Sequence, residues 1–251
     1  MKKNIFLSLF LAIVTLFNCF ACSSPPTGLF DADYKFIDST ALNKLTNDIN
    51  SAEYGNSVDY GKGYLIEMSL SATTHGSEHK VSFSLKTKDV DGEFRAIGTY
   101  AKVKDGVTTK RNVYFADGVV YVDETVTQNG EETKDKYTIT ETFIAYLYSA
   151  TESAINFASP LAMIELKNQF TDATISVEFG ETLTKAKIAK ANKVATEPTF
   201  NTYFVFDLSY ELIAVKVCFN LTQANSRSDT TLTITDYKGT ISTPNNLSEY
   251  L

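Results

Sequence analysis

The chain has 251 residues, a formal net charge of −7 and 43% hydrophobic residues, with 17 Phe and 14 Tyr but no Trp. Surplus carboxylates repel phosphate backbones, which argues against nucleic acid as a partner. Beyond the N-terminal stretch no apolar run approaches the about 20 residues that a membrane-crossing helix needs, so length and composition point to one domain with an aromatic-rich core.

Met1-Lys2-Lys3-Asn4 is basic, and Ile5 to Phe17 is almost continuously apolar. This is the order of a secretory signal peptide, predicted over residues 1–21. The stretch Cys19-Phe20-Ala21-Cys22 reads as a bacterial lipobox, in which small residues precede an obligatory cysteine. On that reading Cys22 becomes the N-terminus and its thiol the lipid anchor, placing the protein in the bacterial cell envelope on the outer face of the membrane. One acyl chain holds only marginally, at about 0.8 kcal/mol per buried CH₂, whereas two or three give stable attachment. An ordinary signal peptidase cutting the same bond would instead leave a secreted protein. Residues 22–37, opening Cys22-Ser23-Ser24-Pro25-Pro26, read as a polar tether. With Cys19 removed and Cys22 acylated, Cys218 remains alone and no disulfide framework is expected.

From residue 38 to 251 the chain reads as a single β-rich domain. Asp38-Ser39-Thr40 ahead of Leu42, Leu45 and Ile49 predicts a capped helix over about 39–52. The period then changes to two. Ile66, Met68 and Leu70 alternate with Glu67, Ser69 and Ser71, and Val81, Phe83 and Leu85 alternate with Ser82, Ser84 and Lys86, the pattern of half-buried antiparallel strands. His75-Gly76-Ser77, Asp91-Gly92, Asp105-Gly106, Asp117-Gly118 and Asn129-Gly130 punctuate a meander, several as dipeptides that favour type I′ hairpins. Thr140 or Thr142 begins a helical segment through Phe143, Leu147 and Ala150 until Pro160 interrupts it, with further helix over 161–169. Strands then resume around Ile175–Phe179, Ile213–Leu221 and Leu232–Ile234. The expected fold is mainly β (α+β): about eleven antiparallel strands in one curved sheet or unclosed barrel, helices covering its apolar face and solvent on the other.

This order of elements, the strand pair Val113-Tyr114-Phe115-Ala116-Asp117-Gly118-Val119-Val120-Tyr121-Val122 and the ending Asp236-Tyr237-Lys238-Gly239-Thr240-Ile241 with Pro244 and Leu247 resemble the lipoprotein-carrier superfamily (LolA/LolB-like, and the anchored LppX/LprG-like lipoproteins). The resemblance covers nearly all of 38–251. It implies an unclosed β-barrel capped by helices, sheltering the acyl chains of a lipid in a hydrophobic cavity. Met68, Leu70, Phe83 and Leu85 are the candidate cavity lining. Alternation alone is equally met by a filled core, which would suit a surface interaction module such as an adhesin or an envelope-assembly subunit.

No motif for chemistry has the spacing that its reaction needs. His75 and His79 flank a glycine turn rather than a helix, so no metal site is expected. Ser77 lacks a nucleophile elbow. Asp89-Val90-Asp91-Gly92 has the wrong spacing for a calcium loop, and Gly61-Lys62-Gly63 lacks that of a phosphate loop. The scattered carboxylates read as solvated charges, and Cys218 as a small buried thiol. The sequence therefore predicts a non-enzymatic protein with no cofactor, whose partners are a membrane, through the N-terminal lipid, and a lipid or other apolar ligand.

Overall fold

The computed structural model describes residues 28–51, 59–74, 77–152, 161–170, 172–190, 199–221 and 226–250. The signal segment 1–21, Cys22, His75 and Pro160 lie outside the described residues. In chain order the elements are β1 (Lys35–Phe36), α1 (Ser39–Ser51), a 3-10 turn (Tyr60–Lys62), β2 (Tyr64–Thr74), β3 (Ser77–Val90), β4 (Glu93–Lys104), β5 (Val107–Ala116), β6 (Val119–Gln128) and β7 (Glu131–Thr140). Then come α2 (Phe143–Ala150), α3 (Leu161–Gln169), β8 (Thr174–Phe179), β9 (Thr184–Lys190), β10 (Thr199–Phe206), β11 (Leu212–Leu221), β12 (Ser226–Asp236) and a final 3-10 turn (Leu247–Tyr250).

All twelve strands form one antiparallel, curved sheet in the order β1-β8-β9-β10-β11-β12-β2-β3-β4-β5-β6-β7. It is not closed: β1 and β7 are its two edges. Two meanders, β2 to β7 and β8 to β12, are joined side by side where β12 pairs with β2 over eleven residues, Ser226↔Thr74 to Asp236↔Tyr64. One strand more than expected is present. The addition is β1, whose two residues are too few to show a two-residue period.

Local chemistry explains the joints. Both residues of Asp91-Gly92, Asp105-Gly106, Asp117-Gly118 and Asn129-Gly130 have positive φ, the type I′ geometry whose twist matches the flanking strands. Asp38 Oδ1 accepts from Ala41 N at 2.8 Å to start α1, and Thr142 Oγ1 accepts from Ala145 N at 3.2 Å to start α2. These satisfy amide donors that the first turn leaves open.

The inner face packs as two cores. In the first, Phe143, Tyr146, Leu147 and Ala150 of α2 lie on the β2–β6 region and β12; in the second, Leu45 and Ile49 of α1 and Met163 and Leu166 of α3 lie on β8–β11. Each helix presents residues at three- and four-residue spacing, one stripe per turn.

The outer face is not solvated throughout, contrary to the expectation. Phe30 is buried against Val205 and Ala214, so chain from Gly28 onward, read as the end of a tether, takes part in packing. At the other side Ile241 is buried against Tyr114 and Ala116. The expected closing strand ends at Asp236; Tyr237 N then donates to Gly63 O at 2.9 Å, and the chain crosses the sheet as a strap. Both straps sit where outward-facing positions are apolar, and covering them removes that area from water. Between them the outer face holds a buried ion pair, Lys216 Nζ to Asp229 Oδ2 at 3.1 Å. Burial pushes the Asp229 carboxyl above its ordinary range, and Lys216 pulls it back.

Strands β3 and β4 approach closely at Gly98. A Cβ there would stand 2.0 Å from Ser84 O and 2.8 Å from Leu85 Cα. Backbone cannot yield cheaply, so Gly98→Ala is expected to destabilise the domain by about 1–3 kcal/mol, read as a lower urea midpoint with an unchanged slope. Gly106→Ala, at an open turn with φ of +79°, tests backbone conformation without crowding.

Candidate functional site

Cross-strand register converts the two-residue alternation into rows that run across the inner face. One row reads Val215, Leu232, Met68, Phe83, Tyr100, Arg111, Glu124 over β11, β12, β2, β3, β4, β5 and β6. The next, toward one end of the strands, reads Val217, Thr230, Leu70, Val81, Lys102. The row on the opposite side reads Ile66, Leu85, Gly98, Val113, Val122. Apolar character therefore fades diagonally, from the middle of the sheet toward one end of β4–β6.

Met68, Leu70, Phe83 and Leu85 are 3%, 3%, 3% and 1% exposed, in the core beneath α2. The structure brings all four together on the inner face. Met68 pairs directly with Phe83, and Leu85 and Leu70 lie in the flanking rows.

The first and second cores are separate clusters on one continuous sheet face. Their border runs between β11 and β12, although Val215 and Leu232 are paired there. The floor along this seam includes half-buried Val217 and Phe219 facing Thr230 and Ser228, both buried. Helices α1 and α3 pack together on one side. Helix α2 covers the other.

Helix α2 is held at its ends. Phe143 sits among Tyr60, Phe94 and Phe115, with ring centres 5.4, 4.6 and 5.5 Å away. Past the other end, Glu152 takes a left-handed backbone with φ of 50°, a place where glycine is the comfortable choice. Its side chain supplies the compensation. Lys102 Nζ donates to Glu152 Oε1 at 2.7 Å, and His79 Nε2 lies 3.3 Å from the same oxygen, off the line of a hydrogen bond. Burial works against the Glu152 charge more strongly than any other single influence. The hydrogen bond from Lys102 and the closeness of both Lys102 and His79 together outweigh it and hold the carboxyl at about 2, against 4.5 ordinarily.

The polar end of the rows completes the site. Arg111 Nε donates to Glu124 Oε2 at 2.6 Å, Tyr137 OH donates to the same oxygen at 3.3 Å, and the Arg111 guanidinium lies 5.3 Å from the Tyr100 ring centre. Burial, with a contribution from Glu152, pushes the Tyr100 hydroxyl up to about 12, Arg111 acting in the opposite sense. Tyr146 of α2 is 4% exposed, and its hydroxyl has no hydrogen-bond partner. A buried donor left in this way costs about 1–3 kcal/mol.

Tyr100, Lys102, Arg111, Glu124, Tyr146 and Glu152 were not among the sequence candidates. Parity was the available signal: Arg111 continues the inward positions of Val113 and Phe115, and Glu124 those of Val120 and Val122. On the outer face, three shallow grooves of about 440, 310 and 460 Å³ follow one another, floored largely by Ser69, Ser82, Ser84, Thr99 and Thr231. Among the described residues no group of His, Cys, Asp and Glu is arranged to hold a metal ion, and no described helix is long and apolar enough to cross a membrane.

No protein-family model and no curated protein sequence matches the chain. Among solved structures it is similar to a DUF1329 family protein from Desulfovibrio piger, at 13% identity and a TM-score of 0.23 over 81% of this chain and 94% of that one. It is also similar to a domain described as an outer membrane lipoprotein-sorting protein from Vibrio parahaemolyticus, at 9% identity and a TM-score of 0.20 over 77% of this chain and 89% of that one. Likeness at these scores assigns neither a family nor a function.

The Glu152 clamp makes a prediction about acid. A folded-state carboxyl held below its unfolded value stabilises fully above the unfolded pKa, and the contribution is lost as pH falls through the folded one. Between about pH 5 and about pH 2, Glu152→Gln should therefore lose about 1–2 kcal/mol less stability than the parent chain, measured by urea unfolding at each pH. Equal acid slopes in the two proteins would count against the clamp.

Proposed function

We propose that this chain is an exported binding protein, anchored to the outer face of a bacterial membrane through Cys22, that shelters a lipid or other apolar ligand between its sheet and its helices and performs no catalysis. The observation that carries the reading is the seam: one continuous apolar sheet face is covered by two separate helical packings, α2 on one side and α1 with α3 on the other. Two small covers can part along such a border at the expense of few contacts, since each keeps its own core. Apolar surface opened there is suited to an apolar guest, whose burial contributes about 25 cal/mol per Å² removed from water. Met68, Leu70, Phe83 and Leu85 then form the part of the lining beneath α2.

The test is native mass spectrometry of protein purified without detergent, with lipid extraction, alongside titration with a fluorescent fatty acid. The expected result is a co-purifying lipid and saturable binding. Val217→Trp, which fills the seam from β11, should weaken that binding about tenfold or more. A fully delipidated protein that binds no apolar probe would end the proposal. In cells, Cys22→Ser should move the protein from the membrane fraction to the soluble fraction.

The outer-face grooves favour a second reading, a surface interaction module whose hydroxyl-rich sheet face contacts a protein or a glycan. That reading expects no bound lipid, and binding lost when Ser82 or Thr231 is replaced by a bulky residue.

A further inference from the structure

We propose that Tyr146, Arg111 and Lys102 form the seat of an acidic head group, so that the ligand is an amphiphile with an oxyanion at one end, its tail running across the strands over Phe83 and Met68 toward the seam. This inference rests on the apolar-ligand reading above and names the chemistry at one end of that site.

Three observations carry it. The first is the row itself. From Leu232 to Arg111 it crosses four strand intervals, about 19 Å, beginning apolar at Leu232, Met68 and Phe83, turning aromatic at Tyr100 and ending on a guanidinium. That is the profile of a tail with a charged end. The second is the buried, unpartnered hydroxyl of Tyr146, on the helix that covers this row. A buried hydroxyl that no protein group satisfies is a donor suited to an acceptor on a ligand. The third is donor supply. Arg111 engages Glu124 through Nε, which leaves its Nη groups for a further acceptor, and guanidinium binds carboxylate and phosphate oxygens in the same forked geometry. Lys102 shares the inner face as a diagonal neighbour of Arg111, because Arg111 is paired with Tyr100, two residues before it.

Carboxylate and phosphate monoester share this recognition, whereas an ester offers an acceptor without charge and an amine offers none. Influences on the Tyr146 hydroxyl place it in the same neighbourhood: burial raises its pKa first, and Arg111, Tyr100 and Tyr137 all act on it.

The experiment is displacement of a fluorescent fatty acid from delipidated full-length protein by palmitate, palmityl phosphate, methyl palmitate and palmitylamine, in the parent chain, Tyr146→Phe and Arg111→Gln. The expected result is that an anionic competitor binds about tenfold or more better than the ester. Palmitate ahead of palmityl phosphate assigns a carboxylate, and the reverse order a phosphate. Tyr146→Phe should reduce the preference for the anion over the ester several-fold and at the same time raise the melting temperature of the empty protein, because it deletes a buried donor that has no partner. A merely structural tyrosine would not move binding and stability in opposite directions. Arg111→Gln should flatten the preference further. Equal binding of acid and ester, unchanged by either substitution, overturns the head-group seat while leaving the apolar site standing. A lower melting temperature for Tyr146→Phe likewise overturns it, since the hydroxyl would then be satisfied without a ligand. If none of the four competitors binds, both this inference and the apolar-ligand reading fall.

Discussion

A strand shows its side chains alternately to two faces, and in a twelve-stranded sheet that alternation accumulates into a broad apolar surface that water disfavours. Among the described residues this is resolved with little helix. Three helices of 13, 8 and 9 residues cover the inner face, and two irregular straps cover the apolar patches of the outer one. Helices this short are marginal in isolation. What holds them is the sheet: Phe143 enters an aromatic socket, and Leu45 and Ile49 meet Met163 and Leu166 over β8–β11. Cover and covered surface therefore stabilise each other, and each of the two covers keeps its own core.

The polar end follows from the same alternation. Next to the apolar inward positions Val113 and Val122, the following inward positions of the same strands are Arg111 and Glu124, in one row with Tyr100. An inward charge is costly without a partner. The cluster meets that demand for Arg111 and Glu124 through each other, and for Lys102 through Glu152. It leaves Tyr146 unmet. The left-handed backbone at Glu152 belongs to the same economy of contacts, an unfavourable conformation retained where its carboxylate ties the end of α2 to β3 and β4.

Much of this fold was legible in the sequence, because its signals are local. Aspartate or asparagine followed by glycine marks each turn from β3 to β7 by a mechanism, the need for positive φ. Asp38 and Thr142 announce helix starts by their side-chain oxygens, and Met68, Leu70, Phe83 and Leu85 declare their face by parity. What escaped was set by pairing across the chain. Two-residue β1 is a strand only because Val177 and Ser176 lie beside it, and the strap beyond Asp236 leaves the sheet although its sequence looks strand-like. The polar end escaped for the same reason: Met68, Phe83, Tyr100, Arg111 and Glu124 become one row only when the register of five strands is known.

An unclosed sheet keeps two free edges, and β7 is one of them. A free edge exposes amide and carbonyl groups to any other strand of matching length, including the same strand of another copy. In β7 the stretch Glu131, Glu132, Thr133, Lys134, Asp135, Lys136 is exposed throughout. Two copies meeting there must desolvate charged side chains as their backbones approach, which discourages stacking into fibres. The openness that would let an inner surface be reached is thus compatible with staying monodisperse when many copies are crowded together.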